Sequence, residues 1–93
     1  NPNQAGVLVA LAQYYHNNDQ FSLAEIYYQR AEIFAEYAQQ SLSGLAQLAI
    51  NTKQYHKALT YLEKLKNISS NKQVIDKNIA IVQRLQAQQT ASL

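Results

Sequence analysis

The sequence predicts an all-α fold of about five helices, arranged as a right-handed solenoid of helix-turn-helix units. Apolar side chains recur at i, i+3, i+4 and i+7 along nearly the whole chain of 93 residues. Only two Gly and one Pro interrupt it, whereas a β-sandwich needs turn residues throughout. The chain also superposes on itself after a shift of 34 residues.

Short polar clusters divide the apolar pattern into helices. They lie at 17–20, 51–54 and 69–71 and consist of residue types that end helices or begin turns. The pattern predicts helices over about 4–17, 21–37, 39–52, 55–67 and 72–88. At the boundary near residue 38 the sequence has no helix-breaking residue.

Two copies of one unit account for most of the chain. The shift of 34 residues brings together eight identical pairs, which exceeds the roughly three expected by chance. The pairs are Leu8 and Leu42, Leu11 and Leu45, Ala12 and Ala46, Gln13 and Gln47, Asn17 and Asn51, Gln20 and Gln54, Ala24 and Ala58, and Tyr27 and Tyr61. The recurring alanines predict close crossings between the two helices of each unit.

These motifs resemble the tetratricopeptide repeat. The first copy reads Leu8-x2-Leu11-Ala12-x2-Tyr15 and then Ala24-x3-Tyr28; the second copy has Ala49 and Leu62 where the family usually has aromatics. Neither copy has the closing Pro. The resemblance implies a single domain with repeats at 5–38 and 39–72, a capping helix at 73–88 and a tail at 89–93.

The resemblance also implies a binding surface, because the first helix of each tetratricopeptide repeat lines the concave side, where partner peptides bind. We expect the corresponding positions to contact a protein or peptide partner. They are Val9, Gln13, His16, Asn17, Ser43, Gln47, Ile50, Asn51, Lys77 and Arg84, together with Ile81. The repeated amides can bind an extended backbone because they both donate and accept hydrogen bonds. That they are simply solvated stays open as the alternative.

The first helix is apolar on all sides from Val7 to Ala12, which is typical of a helix covered on more than one face. Two explanations follow: further repeats precede residue 1, or this face forms a homo-dimer. The alternative functions are therefore homo-oligomerisation through this helix and service as an accessory domain of a larger enzyme or assembly machine.

The remaining features indicate no enzyme, cofactor or metal site. Cys is absent, and neither His16 nor His56 has a carboxylate at metal-ligand spacing. The nine aromatics follow the core spacing, and the net charge is only +2, so we expect no nucleic-acid partner. No segment is apolar enough for membrane insertion or resembles a signal peptide. The charge is uneven, since residues 1–46 are acidic and 47–93 basic, which fits either a docking dipole or a solvated surface.

Overall fold

A computed structural model describes residues 4–91 of the chain. Within that range five α-helices follow one another: α1 (Gln4–Asn17), α2 (Phe21–Glu32), α3 (Ala38–Asn51), α4 (Tyr55–Ile68) and α5 (Lys72–Ala91). A short 3-10 turn (Ala35–Tyr37) precedes α3. The described residues contain no strand, so the predicted all-α fold is confirmed.

The turns α1–α2 and α3–α4 have the same backbone geometry. Asp19 and Lys53 occupy equivalent positions, and both have φ of 60°. In each turn the backbone N–H of the following residue donates to the carbonyl five positions earlier in the chain. These hydrogen bonds run from Gln20 to Tyr15 and from Gln54 to Ala49, both at 2.8 Å. This is the Schellman ending of a helix, which satisfies carbonyls that the last turn leaves unpaired. The repeat found in the sequence is therefore also a repeat of backbone structure.

The second helix ends earlier than expected. The pattern predicted a helix over 21–37, but α2 stops at Glu32, and Phe34 is extended, with φ −91° and ψ 114°. Tyr37 then reaches back to α1: its hydroxyl lies 3.1 Å from the position that a Cβ on Gly6 would occupy. The local sequence has no helix-breaking residue at the end of α2, but the helix ends where Tyr37 contacts α1. Tertiary packing can override helix propensity in this way.

The last helix is longer than the predicted capping helix over 73–88. It continues to Ala91, so three residues of the predicted tail are helical, and the last two residues lie outside the described range. The Gln89 side chain donates to the Lys53 carbonyl at 3.3 Å, which ties the end of α5 to the turn between α3 and α4.

Consecutive helices pack against one another, and small side chains stand at the crossings. Ala12, Ala24 and Ala58 are fully buried, and Ala46 is nearly so. Since an alanine lets two backbones approach closely, these positions explain how each helix pair fits together.

Between the two repeats, the ring of Tyr28 on α2 lies directly over Gly44 on α3. A Cβ built on Gly44 would stand 2.5 Å from Cε1 and 2.9 Å from Cε2 of that ring. Tyr28 is only 4% exposed, and this burial raises the pKa of its hydroxyl. Gly44 is therefore the residue that makes room for the largest side chain at the repeat junction.

A row of polar contacts joins the second helices of the two repeats, and we call it the α2–α4 seam. Its contacts are Lys57 Nζ to Glu25 Oε2 at 2.5 Å, Lys64 Nζ to Glu32 Oε2 at 3.3 Å, and Gln29 Nε2 donating to the Tyr61 hydroxyl at 3.3 Å. The hydrogen bond to Glu25 raises the pKa of Lys57. Part of the charge difference between the two halves of the chain is thus neutralised within the fold. Each pair is partly exposed, so it contributes about 0.2–1 kcal/mol.

Candidate functional site

A chain of three side chains links the first helices of the two repeats. Gln47 Nε2 donates to Asn51 Oδ1 at 2.9 Å, and Asn51 Nδ2 lies 2.9 Å from His16 Nε2. Because Asn51 uses its oxygen to accept from Gln47, its amide group donates to His16. The His16 imidazole therefore accepts this hydrogen bond at Nε2.

The imidazole of His16 is also fixed by aromatic neighbours. Its centroid lies 5.9 Å from that of Phe21 and 6.4 Å from that of Tyr28, and both rings meet it nearly edge-on. These contacts place His16 as a positioning group for Asn51 and Gln47. Within the polar chain Asn51 uses both its oxygen and its nitrogen, and Gln47 uses its nitrogen.

A groove opens next to this polar chain, between α3 and α5. Its first part has a volume of about 170 Å³. The α3 wall consists of Ser43, Gln47 and Ile50; the α5 wall consists of Asn78, Ile81 and Leu85; and the floor consists of Ala46, Leu62, Leu65 and Val82. We call it the α3–α5 groove. It exists because α5 packs mainly on α4 and leaves the facing side of α3 uncovered.

The groove continues toward the start of α3 and α5. A second depression of about 340 Å³ shares Ser43, Leu65 and Asn78 with the first and extends to Gln40 and Val74. Because three residues line both parts, the two depressions form one continuous surface along α3 and α5. A surface that runs along two helices in this way suits an extended or helical segment rather than a compact small molecule.

The lining combines amides, two hydroxyls and aliphatic side chains, and none of the lining residues is charged. Ile81 is 46% exposed and Val74 is 49% exposed. Partly exposed aliphatic side chains beside uncharged polar groups favour contact with another polypeptide, because they offer apolar area without requiring a partner of fixed charge.

The structure brings together six of the predicted surface residues. Ser43, Gln47, Ile50 and Ile81 line the groove, while His16 and Asn51 belong to the polar chain at its side. Gln13 and Asn17 are exposed on α1, and Lys77 and Arg84 are exposed on α5 but do not line the groove.

Val9 differs from the expectation that it lines an open groove. It is only 4% exposed, so its side chain is part of the interior and does not face a partner. The physical reason is that Val9 belongs to the apolar segment Val7–Ala12, and an aliphatic side chain is removed from water where neighbouring elements can cover it.

Sequence reasoning missed Asn78 and Leu85, which line the groove. The signal was available in the phase of α5. Ile75, Ile79 and Val82 are the buried residues of that helix, and the residues bordering such a stripe form the edge of the core. A helical wheel centred on the buried stripe, rather than the register of the first two repeats, would have identified them.

Metal-binding clusters and membrane-spanning helices are both absent from the described residues. Within residues 4–91 no group of three or more His, Asp or Glu side chains is placed to hold a metal ion. Among the helices of the same range, none combines the length and the apolar character needed to cross a membrane.

Comparison with known proteins agrees with the geometry. The family model described as tetratricopeptide repeat matches residues 5–32 and 39–72, which together cover well over half of the chain. Searches among curated proteins and among solved structures find no significant match. The matched ranges coincide with α1–α2 and with α3–α4, each a pair of helices joined by the same turn. The chain therefore belongs to the tetratricopeptide repeat family.

Proposed function

We propose that this protein binds a segment of another protein in the α3–α5 groove and acts as a non-catalytic scaffold. Tetratricopeptide repeats generally mediate protein–protein interaction, and the family is a non-enzymatic repeat scaffold. The observation that carries the proposal is the uncharged groove itself, with Ile81 half-exposed on one wall and Gln47 on the other.

The groove contains both polar and apolar side chains that can contact a bound segment. Ser43, Gln47 and Asn78 both donate and accept hydrogen bonds, so they suit the backbone N–H and C=O groups of a bound segment. Ile81 and Leu85 suit its apolar side chains, since covering a large aliphatic side chain contributes about 1.5–3 kcal/mol when it is complete. The segment we expect is therefore weakly charged and carries at least one aliphatic or aromatic anchor.

A selected peptide tests this proposal. A displayed library of random peptides is screened against the full chain, and the Kd of a selected peptide is measured for Ile81→Lys and for the matched control Gln83→Lys. Both positions are exposed on α5, but only Ile81 lines the groove. Both variants add the same charge to the same helix. Because both positions are exposed and lysine is a good helix former, the helix content measured by circular dichroism should remain unchanged.

We expect Ile81→Lys to raise the Kd at least about tenfold, the equivalent of about 1.4 kcal/mol of lost apolar contact. Gln83→Lys should leave it within about twofold. Equal effects of the two variants would contradict binding in the groove and would indicate a response to charge alone.

Self-association through α1 is the alternative hypothesis, and the exposure of Val7 (52%) and Tyr14 (59%) favours it. Light scattering after size exclusion distinguishes the two. A monomer over a wide concentration range contradicts self-association, whereas a dimer that Val7→Glu dissociates would support it. Service as an accessory domain of a larger machine is compatible with either result.

A further inference from the structure

The first repeat has an uncovered face whose counterpart in the second repeat is covered. Val7 is 52% exposed, but the equivalent Ser41 is fully buried; Tyr14 is 59% exposed, but the equivalent Leu48 is only 4% exposed. On α3 these positions lie at the junction with the preceding repeat, where α2 packs against α3. On α1 the same positions face solvent.

The uncovered surface extends onto α2. Lys57 and Lys64 of α4 reach back to α2 in the α2–α4 seam, and their equivalents in the first repeat are Leu23 and Arg30. Leu23 is 38% exposed and Arg30 is exposed as well. We call this surface the open face; it consists of Val7, Ala10 and Tyr14 on α1 and Leu23 and Arg30 on α2.

We propose that the open face docks the second helix of a further tetratricopeptide-type repeat, and that this helix differs from α2 at two defined positions. The internal junction supplies the template, because it shows which helix covers this face when a repeat precedes it. This surface is separate from the α3–α5 groove, so the inference goes beyond the proposed function.

The first position is set by size. Gly44 leaves room for the ring of Tyr28, but its equivalent in the first repeat is Ala10. A Cβ at that place would stand 2.5 Å from Cε1 of a tyrosine seated in the same way, far inside van der Waals contact. The docking helix therefore carries a smaller, aliphatic residue where α2 has Tyr28. Leu62 on α4 is the equivalent of Tyr28 in the second repeat, and it lines the α3–α5 groove together with Asn78, the equivalent of Gly44.

The second position is set by charge. In the seam Glu25 faces Lys57 and Glu32 faces Lys64. On the open face the corresponding partners are Leu23 and Arg30. The docking helix therefore keeps a carboxylate at the Glu32 position and has an apolar residue at the Glu25 position. A carboxylate there would lose water and gain only an aliphatic neighbour.

These two rules predict that a copy of α2 itself does not fit the open face. Stacking of identical chains through α2 would place a tyrosine ring on Ala10 and a carboxylate on Leu23. The surface thus discriminates between repeats of one family, and the discrimination comes from an unfavourable contact as well as from favourable ones.

Fusion of a donor repeat to the chain from residue 5 onward tests the inference. The donor consists of residues 5–38 placed so that residue 5 of the chain follows residue 38 of the donor, as residue 39 does naturally. One donor carries Glu25→Leu and Tyr28→Leu, and a second donor is unchanged. A third fusion joins the unchanged donor to the chain with Ala10→Gly, which restores the space found at Gly44.

The readouts are the Tm and the hydrogen exchange of the α1 amides. We expect the altered donor to raise the Tm by at least about 5 °C over the unfused chain, the size of about 1 kcal/mol, and to slow exchange in α1. The unchanged donor should raise the Tm by less and slow the exchange by less. The fusion with Ala10→Gly should have a Tm between those of the other two fusions. Equal effects of the two donors, or unchanged exchange in α1, would overturn the proposal. A dimer of the unfused chain with Val7 and Tyr14 protected would also overturn it.

Discussion

Replacing Gly44 by alanine has two opposing effects on stability: it raises the helix propensity of α3, and it crowds the ring of Tyr28. Gly44 lies in the interior of α3 with an ordinary helical conformation, because no glycine of the described residues has positive φ. In an exposed helix this substitution would stabilise the protein by about 1 kcal/mol. Judged from the sequence alone, Gly44→Ala is therefore a stabilising change.

The contact with Tyr28 reverses that expectation. The added methyl group would stand against three atoms of a ring that is 4% exposed, at 2.5 Å from Cε1 and 2.9 Å from Cε2. Overpacking of this kind typically costs about 1–3 kcal/mol, and a buried ring has little room to yield. Taking the upper end and subtracting the propensity gain, we expect a net loss of about 2 kcal/mol, or roughly 10 °C in Tm.

Urea and thermal unfolding followed by circular dichroism measure this effect. Tyr28→Leu removes the ring, so the double variant should show a coupling of at least about 1 kcal/mol between the two positions. Gln40→Ala, at an exposed position of the same helix, serves as the control and should change stability by less than about 0.5 kcal/mol. A higher Tm for Gly44→Ala would refute the argument, because it would mean that the ring of Tyr28 does not occupy the space over Gly44.

Three further predictions follow from buried or strained groups. The Ser41 hydroxyl is fully buried without a hydrogen-bond partner. Because alanine removes this unpaired group and favours the helix, Ser41→Ala should raise the free energy of unfolding by about 1 kcal/mol. An unchanged or lower Tm would contradict this prediction. Lys53 has φ of 60°, a conformation that glycine adopts without a steric cost. Lys53→Gly should therefore stabilise the protein by about 0.5 kcal/mol in urea unfolding. Gln54→Gly, at the next residue, should destabilise the protein. Burial raises the pKa of Tyr28 above 10.0, and the bond to Glu25 raises that of Lys57 above 10.5. The unfolded chain loses both protons first, so the free energy of unfolding should fall as the pH rises above about 10. Tyr28→Phe should make that fall smaller, and an identical pH dependence would contradict the assignment.

Much of this fold could be predicted from local patterns. The polar clusters predicted helix ends that the structure places at Asn17, Asn51 and Ile68, because short polar side chains favour such ends. The family was also predictable, since a period of 34 with small residues at the crossings leaves few other architectures. The early end of α2 was not predictable, because it accompanies the contact of Tyr37 with α1 rather than a local breaker.

The candidate site was predictable only in part. Ser43, Gln47, Ile50 and Ile81 were identified by carrying the repeat register along the chain. On α5 the same register found Ile81 but missed Asn78 and Leu85, which border the buried stripe of that helix and line the groove. Burial of Val9 could not be inferred either, since an aliphatic residue suits both an open groove and an interior.

Binding of a peptide in the α3–α5 groove can be followed residue by residue in a nuclear magnetic resonance titration. A peptide selected against the full chain is added to the 15N-labelled protein, and the shifts of backbone and side-chain amides are followed. We expect the largest changes at Ser43, Gln47, Asn78 and Ile81, and smaller changes at Asn51. Changes confined to Val7, Ala10 and Tyr14 would contradict it.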